Sequence, residues 1–147
     1  MKKYEFAKSE IKLLGHQISA EGTILDSGKV AAIKVLEWST TISKLKEFLG
    51  IVGFFRKYIQ GFEQIAKPLN DMISIKFGNC WTSEMDEAWK KLKKWLTEIL
   101  ILRHPDFIKP FILYTDTSKK DVGAILAQHD VEAKVDYVVE YFSRSLR

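Results

Sequence analysis

The chain has 147 residues and a net charge of +4, and its 46% of hydrophobic residues suffices for the core of one domain or of two small ones. Its single cysteine, Cys80, excludes an internal disulfide and a cysteine-based metal site, and its three histidines lack the spacing of metal ligands. No apolar run approaches the ~20 residues of a membrane-spanning helix and the N-terminus does not resemble a signal peptide, so we expect an intracellular protein, cytoplasmic or nuclear.

The first 25 residues have the pattern of β-strands. Tyr4 and Phe6, and then Ile11 and Leu13, indicate extended segments, and residues 13–25 have the pattern of a β-hairpin. Gly15 lies within a strand pattern, which predicts a bulge or a close approach of the backbone. Gly22 is suited to the hairpin turn, because a positive φ costs glycine little.

Helices are predicted in the middle of the chain. Asp26 is a suitable N-cap for a first short helix. The apolar spacing from Leu45 to Ile59 predicts one continuous second helix. It contains Gly50 and Gly53, each of which costs a helix up to about 1 kcal/mol relative to alanine. We expect these glycines to allow close packing of the helix backbone against a neighbour.

The next segments are also predicted to be helical. Residues 65–72 form a short turn or helix around Pro68. Thr82 or Ser83 then caps a helix over about 84–99, with acidic residues first and lysines later, as the helix dipole favours. Its predicted buried positions are Ala88, Leu92, Trp95, Leu96 and Ile99.

Residues 111–147 predict an antiparallel sheet of about three strands. A strand from Phe111 delivers Asp116 to its end, a second strand returns to Gln128, and a third covers Tyr137–Leu146. Because strands both precede and follow the helices, the predicted fold class is α+β, with a helical middle separate from the terminal sheet.

Asp116 is the candidate for metal chemistry. Two-metal phosphodiester hydrolysis needs several carboxylates around two cations. A single aspartate in Thr-Asp-Thr-Ser can equally form a simple Asx-turn. Four other acidic residues are nearby in the sequence: Asp121, Asp130, Glu132 and Asp136. Nothing in the pattern directs them toward Asp116.

Two basic stretches could contact phosphates. The second helix combines basic and aromatic residues, namely Lys44, Lys46, Phe54, Phe55, Arg56, Lys57 and Tyr58. Such a helix can lie against a phosphate backbone, although its aromatics can equally fill a core, with Phe54 and Tyr58 off the main apolar stripe. A solvated helix face explains the lysines of the next helix, Lys90, Lys91, Lys93 and Lys94. His16, in the hairpin, is typical of a surface histidine.

Seven blocks in a fixed order resemble the pol polyprotein of gypsy-type long-terminal-repeat retrotransposons. They are EFAKSEIKLLGHQISAEG (5–22), KLKEFLGIVGFFRKYIQGF (44–62), IAKPLNDM (65–72), WTSEMDEAWKKL (81–92), HPDFIKPFILYTDTS (104–118), VGAILAQ (122–128) and YFSRSL (141–146). The resemblance covers essentially the whole chain.

The resemblance implies four regions along the chain. They are a palm-end, primer-grip-like hairpin (1–26), a thumb-like helical region (27–79), a connecting helix and linker (80–110), and an incomplete ribonuclease H-like sheet (111–147). It further implies that Asp116 is the first catalytic carboxylate and an Mg²⁺ ligand. The residues it implies for nucleic-acid binding are Gly15, His16, Lys44, Arg56 and Lys57.

The parent family copies RNA into DNA and carries a ribonuclease H, but its polymerase aspartates and remaining ribonuclease H acids would lie outside this sequence. The enzymatic status of the chain is therefore uncertain. We expect it to be catalytically inactive alone, to hold no cofactor tightly, and to bind RNA–DNA or DNA duplex weakly at most. The alternative is a domesticated or truncated retroelement protein that acts as a protein-interaction module. In either case we expect the sheet to self-associate, to recruit a protein partner at its edge, or to be covered by the 84–99 helix.

Overall fold

The computed structural model describes residues 7–37, 41–74, 81–98 and 101–146. One three-stranded antiparallel sheet precedes the four α-helices in the sequence and a second one follows them, so the α+β class is confirmed. The strand expected at Tyr4 and Phe6, together with Trp38 and Ile99, lies outside the described residues.

The N-terminal sheet extends the predicted hairpin by one strand. It contains β1 (Glu10–Leu13), β2 (His16–Ser19) and β3 (Thr23–Leu25) in that order. Leu14 and Gly15 both have positive φ, at 49° and 79°, which is the geometry of a two-residue hairpin turn. The bulge expected at Gly15 is therefore a turn between two strands. The expected close approach is present, although it is made by the side chains of Lys29 and Phe55.

Gly22 forms the second turn of this sheet, as predicted. Its φ is +150°, and the Ser19 amide donates to the Gly22 carbonyl at 2.9 Å. A Cβ on Gly22 would overlap the carbonyl oxygen of Leu102, which lies far along the chain. Glycine is therefore required here both by φ and by the packing of a distant segment.

The helices are α1 (Ser27–Val35), α2 (Ile42–Phe54), α3 (Phe62–Ser74) and α4 (Ser83–Thr97), with a 3₁₀ helix at Arg56–Tyr58. Asp26 caps α1 as expected, since its carboxylate accepts from the Gly28 amide. Thr82 caps α4 in the same way, through the Met85 amide. Pro68 lies inside α3, which is longer than the short turn or helix expected from the sequence.

The prediction of one helix from Leu45 to Ile59 is wrong, because α2 ends at Phe54. The Phe55 amide donates to the Val52 carbonyl, and the Tyr58 amide to the Phe55 carbonyl, both three residues back. This tighter winding buries Phe55, Tyr58 and Ile59 together.

The expected packing role of Gly50 and Gly53 is also wrong. A Cβ built at either position would have no atom within 4 Å. Within the described residues, no neighbour requires glycine at these two sites.

The C-terminal sheet has the predicted three strands. They are β4 (Ile112–Thr117), β5 (Asp121–Asp130) and β6 (Val135–Ser145), paired antiparallel in that order. The register of β5 on β6 shifts between Leu126 and Ala127, where Val139 has no partner.

One hydrophobic core joins the helices to the C-terminal sheet. Its buried members include Leu45, Phe48, Tyr58, Leu69, Leu92 and Leu102. Trp89, which we did not expect to be buried, stacks on Phe48 with ring centroids 3.6 Å apart. Val138 and Tyr141 of β6 pack against this core. Cover of the sheet by the 84–99 helix was one of our alternatives, and in the structure β6 lies mainly on α3 and the 3₁₀ helix.

The helices described here are all too short or too polar to cross a membrane.

Candidate nucleic-acid interface and Asp116

His16, the first residue of β2, lies in a cluster of aromatic rings. Its ring stacks on Phe54 with centroids 5.6 Å apart and an interplanar angle of 14°, and it meets Phe55 edge-on at 5.3 Å. Its Nδ1 lies 3.4 Å from the hydroxyl oxygen of Tyr58. The two-residue turn and the end of α2 thus bring the hairpin and the helix together at one histidine.

This environment keeps His16 neutral at neutral pH. Burial, and then the nearby charge of Lys57, lower the pKa of His16 from its usual 6.5. Burial alone raises the pKa of Tyr58 to about 12, so its hydroxyl stays protonated. The cluster is therefore a neutral aromatic surface beside Lys57, and the side chain of Lys29 lies against the adjacent Gly15.

Phe54 is the exposed member of this cluster, and it is not among the residues that the resemblance implies for nucleic-acid binding. Its side chain is 57% exposed, whereas Tyr58, which we expected off the apolar stripe as well, is almost fully buried. The sequence signals for Phe54 were its position off the stripe and its place among basic residues. An exposed aromatic next to a lysine is a common feature of surfaces that bind nucleic acid.

The five residues implied for nucleic-acid binding do not form one site. Gly15, His16 and Lys57 lie together at the junction of hairpin and helix. Arg56 points to the C-terminal sheet, where its Nη2 donates to the Ser143 carbonyl at 3.4 Å. Lys44 lies ten residues before Phe54 on α2, which is about 15 Å along the helix axis.

A groove adjoins this junction. It has a volume of about 790 Å³ and runs between α1 and α2, with the Leu14–Gly15 turn at one end. Lys29 and Glu47 line it, and Gly50 contributes bare backbone to its wall. A charged or aromatic ligand bound at Phe54 would therefore have room to extend into this open groove.

Asp116 lies near the end of β4, as the sequence predicted. It is exposed and pairs with Gly123 of β5. A small cavity of about 190 Å³ lies beside it and is lined by Gln60, just before α3, and by Gln64, within α3. These neighbours are uncharged, so Asp116 is the one carboxylate on this cavity wall within the described residues.

Three other acidic residues of the sheet, Asp121, Asp130 and Asp136, have partners of their own. Asp121 accepts a hydrogen bond from Ser145 Oγ at 2.8 Å. The Arg103 guanidinium holds the pKa of Asp130 at about 2, well below its usual value. Hydrogen bonds from Tyr114 and then His129 lower the pKa of Asp136.

The surroundings of Asp116 decide whether the described residues could hold the Mg²⁺ that the resemblance implies. Among the described residues, no three His, Cys, Asp or Glu side chains are close enough to hold a metal ion together. Two-metal chemistry needs several carboxylates on the ions, and Asp116 is a single one. The residues present do not fit a two-metal site.

Lys90, Lys91 and Lys94 of α4 are exposed, as a solvated helix face requires, whereas Lys93 is half-buried. Lys90 pairs with Asp86 at 2.5 Å, one turn earlier. Lys93 donates to the Leu36 carbonyl at 2.8 Å, just beyond the end of α1. Both contacts lie within this protein and give the lysines an internal role.

Comparison with known proteins identifies the family of the C-terminal part. Residues 81–147 match the RNase H-like domain found in reverse transcriptase. The match includes α4, the linker and the whole C-terminal sheet, and therefore includes Asp116.

Two curated relatives extend the similarity to nearly the whole chain. The retrovirus-related Pol polyprotein from transposon opus of Drosophila melanogaster is 34% identical over 99% of this chain. The transposon Tf2-3 polyprotein of Schizosaccharomyces pombe is 34% identical over 98% of it. The resemblance to gypsy-type retrotransposon pol polyproteins is confirmed. This pol segment spans 16% and 11% of the length of those two relatives.

Solved structures show the same architecture. The pol segment matches the foamy viral protease-reverse transcriptase in complex with dsDNA, with a TM-score of 0.77 and 25% identity. It matches the same kind of enzyme in complex with RNA/DNA hybrid with a TM-score of 0.78. Both matches cover 95% of this chain and 29% and 19% of those chains. The N-terminal sheet, helical middle and C-terminal sheet thus form a known arrangement of reverse transcriptases.

Proposed function

We propose that this pol segment is the part of a reverse transcriptase that holds a nucleic-acid duplex, and that it has no catalytic activity alone. The observation that supports this most is the cluster of the half-buried His16 and Lys57 with the exposed Phe54, between the hairpin and α2. Foamy viral relatives of this fold bind dsDNA and RNA/DNA hybrid, which makes a duplex the ligand to test. The affinity should be weak, because few cations lie at this junction.

Catalytic inactivity follows from the donor set around Asp116. Two metal ions would need a second and a third carboxylate beside Asp116, and the described residues do not provide them. The acids closest in sequence are engaged with Ser145, Arg103, Tyr114 and His129. We therefore propose that Asp116 is a vestige of a nuclease site in this chain and that no Mg²⁺ is bound tightly.

The four regions implied by the resemblance remain our proposal for the organisation of the chain. The hairpin would correspond to the palm end, and α1 to α3 to the thumb. In this assignment α4 and the linker connect the thumb to the ribonuclease H-like sheet. We also propose that the segment works inside the cell, where reverse transcription intermediates occur.

The first experiment measures binding to a labelled RNA–DNA hybrid at low and moderate salt with Mg²⁺ present. Lys57→Gln should weaken binding and reduce its salt dependence, because one phosphate contact is lost. Lys44→Gln is the matched control, since it removes the same charge away from the junction, and should change binding less. Equal effects of both variants would contradict the proposed location. Hybrid cleavage that Asp116→Asn abolishes would contradict inactivity.

A second candidate function is a protein-interaction module. One face of the C-terminal sheet carries exposed apolar side chains, including Leu113 and Phe142, which are 62% and 47% exposed. Association through such a face should not weaken with added salt, whereas duplex binding should. Light scattering at high protein concentration tests this candidate, and a strictly monomeric protein would count against self-association.

A further inference from the structure

The segment Leu102–Lys109, here called the strap, connects the two sheets. Leu102 pairs with Thr23 of β3 through two backbone hydrogen bonds, of 2.8 and 3.1 Å. The next residue, Arg103, donates its amide to the Val138 carbonyl of β6. Two consecutive residues of the strap are therefore bonded to different sheets.

The side chains of the strap also contact both sheets. His104 Nε2 lies 2.9 Å from the Ser19 carbonyl oxygen of β2. The Arg103 guanidinium pairs with Asp130 at 2.5 Å and lies over the ring of Tyr137, 3.9 Å from its centroid. Both partners of Arg103 belong to the C-terminal sheet.

The far end of the strap is fixed by Gln128, a buried residue of β5. Its side-chain amide accepts from the Asp106 amide and donates to the Asp106 and Lys109 carbonyls, at 2.8, 2.8 and 3.2 Å. The Tyr137 hydroxyl donates to the same side chain at 3.0 Å. The strap thus has defined partners along most of its length.

A second connection, here called the clasp, joins the C-terminal sheet to the helical region. The buried hydroxyl of Ser143 accepts from the Glu63 amide at the start of α3, at 3.1 Å. The Ser143 carbonyl accepts from Arg56 of the 3₁₀ helix at 3.4 Å. The neighbouring Tyr58 closes the circuit, because its hydroxyl lies against His16 of the hairpin.

We propose that the strap and the clasp lock the two sheets into one rigid body, which holds the hairpin and Asp116 at a fixed separation and orientation. The circuit runs from hairpin to strap, to β6, to clasp, to the 3₁₀ helix and back to His16. If the junction holds a duplex, as proposed above, this body also fixes which part of that duplex faces the β4 end. The rigidity itself does not depend on nucleic-acid binding and is tested without it.

The experiment measures the distance between two spin labels in the full chain. Labels at Ala20→Cys and Lys119→Cys, in a Cys80→Ser background, report on exposed turns of the two sheets. The unmodified pair should give one narrow distance distribution. A broad distribution in this parent protein would overturn the proposal.

Gly22→Ala tests the strap. A methyl group there would overlap the Leu102 carbonyl, so the distribution should broaden or shift. Gly50→Ala is the matched control, because its Cβ meets no atom within 4 Å, and it should leave the distribution unchanged. A folded Gly22→Ala protein with the parent's distribution would overturn the role of the strap.

The clasp is tested by the double variant Arg56→Gln with Ser143→Ala. This variant also tests the rigid-body proposal if Gly22→Ala fails to fold. Its control is Lys44→Gln with Ser145→Ala, which removes the same charge and a hydroxyl whose bond to Asp121 stays within the sheet. Only the clasp variant should broaden the distribution. Equal distributions in both double variants would overturn the proposal, whatever the result with nucleic acid.

Discussion

His16 shows how one residue can link the stability of the fold to the candidate interface. Its neutral form is packed among Phe54, Phe55 and Tyr58, and burial and Lys57 both disfavour its protonation. In the unfolded chain the same imidazole has its ordinary pKa. The folded protein therefore binds fewer protons than the unfolded one at mildly acidic pH.

The resulting prediction concerns the pH dependence of unfolding. Below pH 6.5, the usual pKa of histidine, the free energy of unfolding should fall as the pH drops toward the lowered pKa of His16. His16→Gln should reduce this fall, although it also loses some packing. Melting temperatures of both proteins between about pH 7.5 and about pH 5 measure the difference. Parallel curves would contradict it, since His104 and His129 are common to both.

Gln128 carries the second residue-scale prediction. Gln128→Leu would leave the Asp106 amide and two strap carbonyls without their partner, at about 1–3 kcal/mol for each buried group that water cannot reach. Urea unfolding should show a clear loss of stability. Gln17→Leu is the control, because Gln17 is partly exposed and its side chain contacts Glu10 on the surface. A loss no larger than that of Gln17→Leu would contradict the role of Gln128.

At the scale of elements, local signals in the sequence were sufficient for most boundaries. Asp26 and Thr82 cap helices because their side chains reach the second or third amide beyond them, and this depends on local spacing alone. The end of α2 could not be read in the same way. A regular helix through Ile59 would bury Val52, Phe55 and Ile59, and the 3₁₀ turn that the structure contains buries the same residues. The apolar spacing in the sequence therefore fits both conformations.

Gly50 gives a prediction at this scale. Its place in the middle of α2 has no packing reason among the described residues, and alanine is the better helix former by up to about 1 kcal/mol. Gly50→Ala should therefore raise the midpoint of urea unfolding. A lowered midpoint would show that a neighbour does meet this position.

At the scale of the molecule, the sequence predicted both sheets and the site of Asp116 but not the way distant segments meet. Arg56 looked like a phosphate ligand because it is basic and adjacent to aromatics. In the structure its guanidinium also donates to the Ser143 carbonyl, 87 residues away, and no local pattern encodes that pairing. The same holds for the strap, whose bond to Thr23 crosses from one end of the chain to the other.

Because one core joins helices and sheet, we predict a single cooperative unfolding transition. Three of the four tryptophans, Trp81 just before α4 and Trp89 and Trp95 within it, make fluorescence report mainly on this region, while far-ultraviolet circular dichroism reports on all elements. The two signals should give coincident curves in urea. Separate transitions would show that the thumb-like region and the sheet fold as independent units.

The most direct test of the central claim compares two exposed phenylalanines in binding to an RNA–DNA hybrid. Phe54 stacks on His16 at the proposed interface, whereas Phe107 is exposed on the strap, 83% accessible, and its ring meets that of Phe111. Phe54→Ala should weaken binding by roughly fivefold or more if the ring contacts bases, while Phe107→Ala should leave it near the level of the parent protein. Equal affinity of the parent and Phe54→Ala proteins would contradict the interface proposed here.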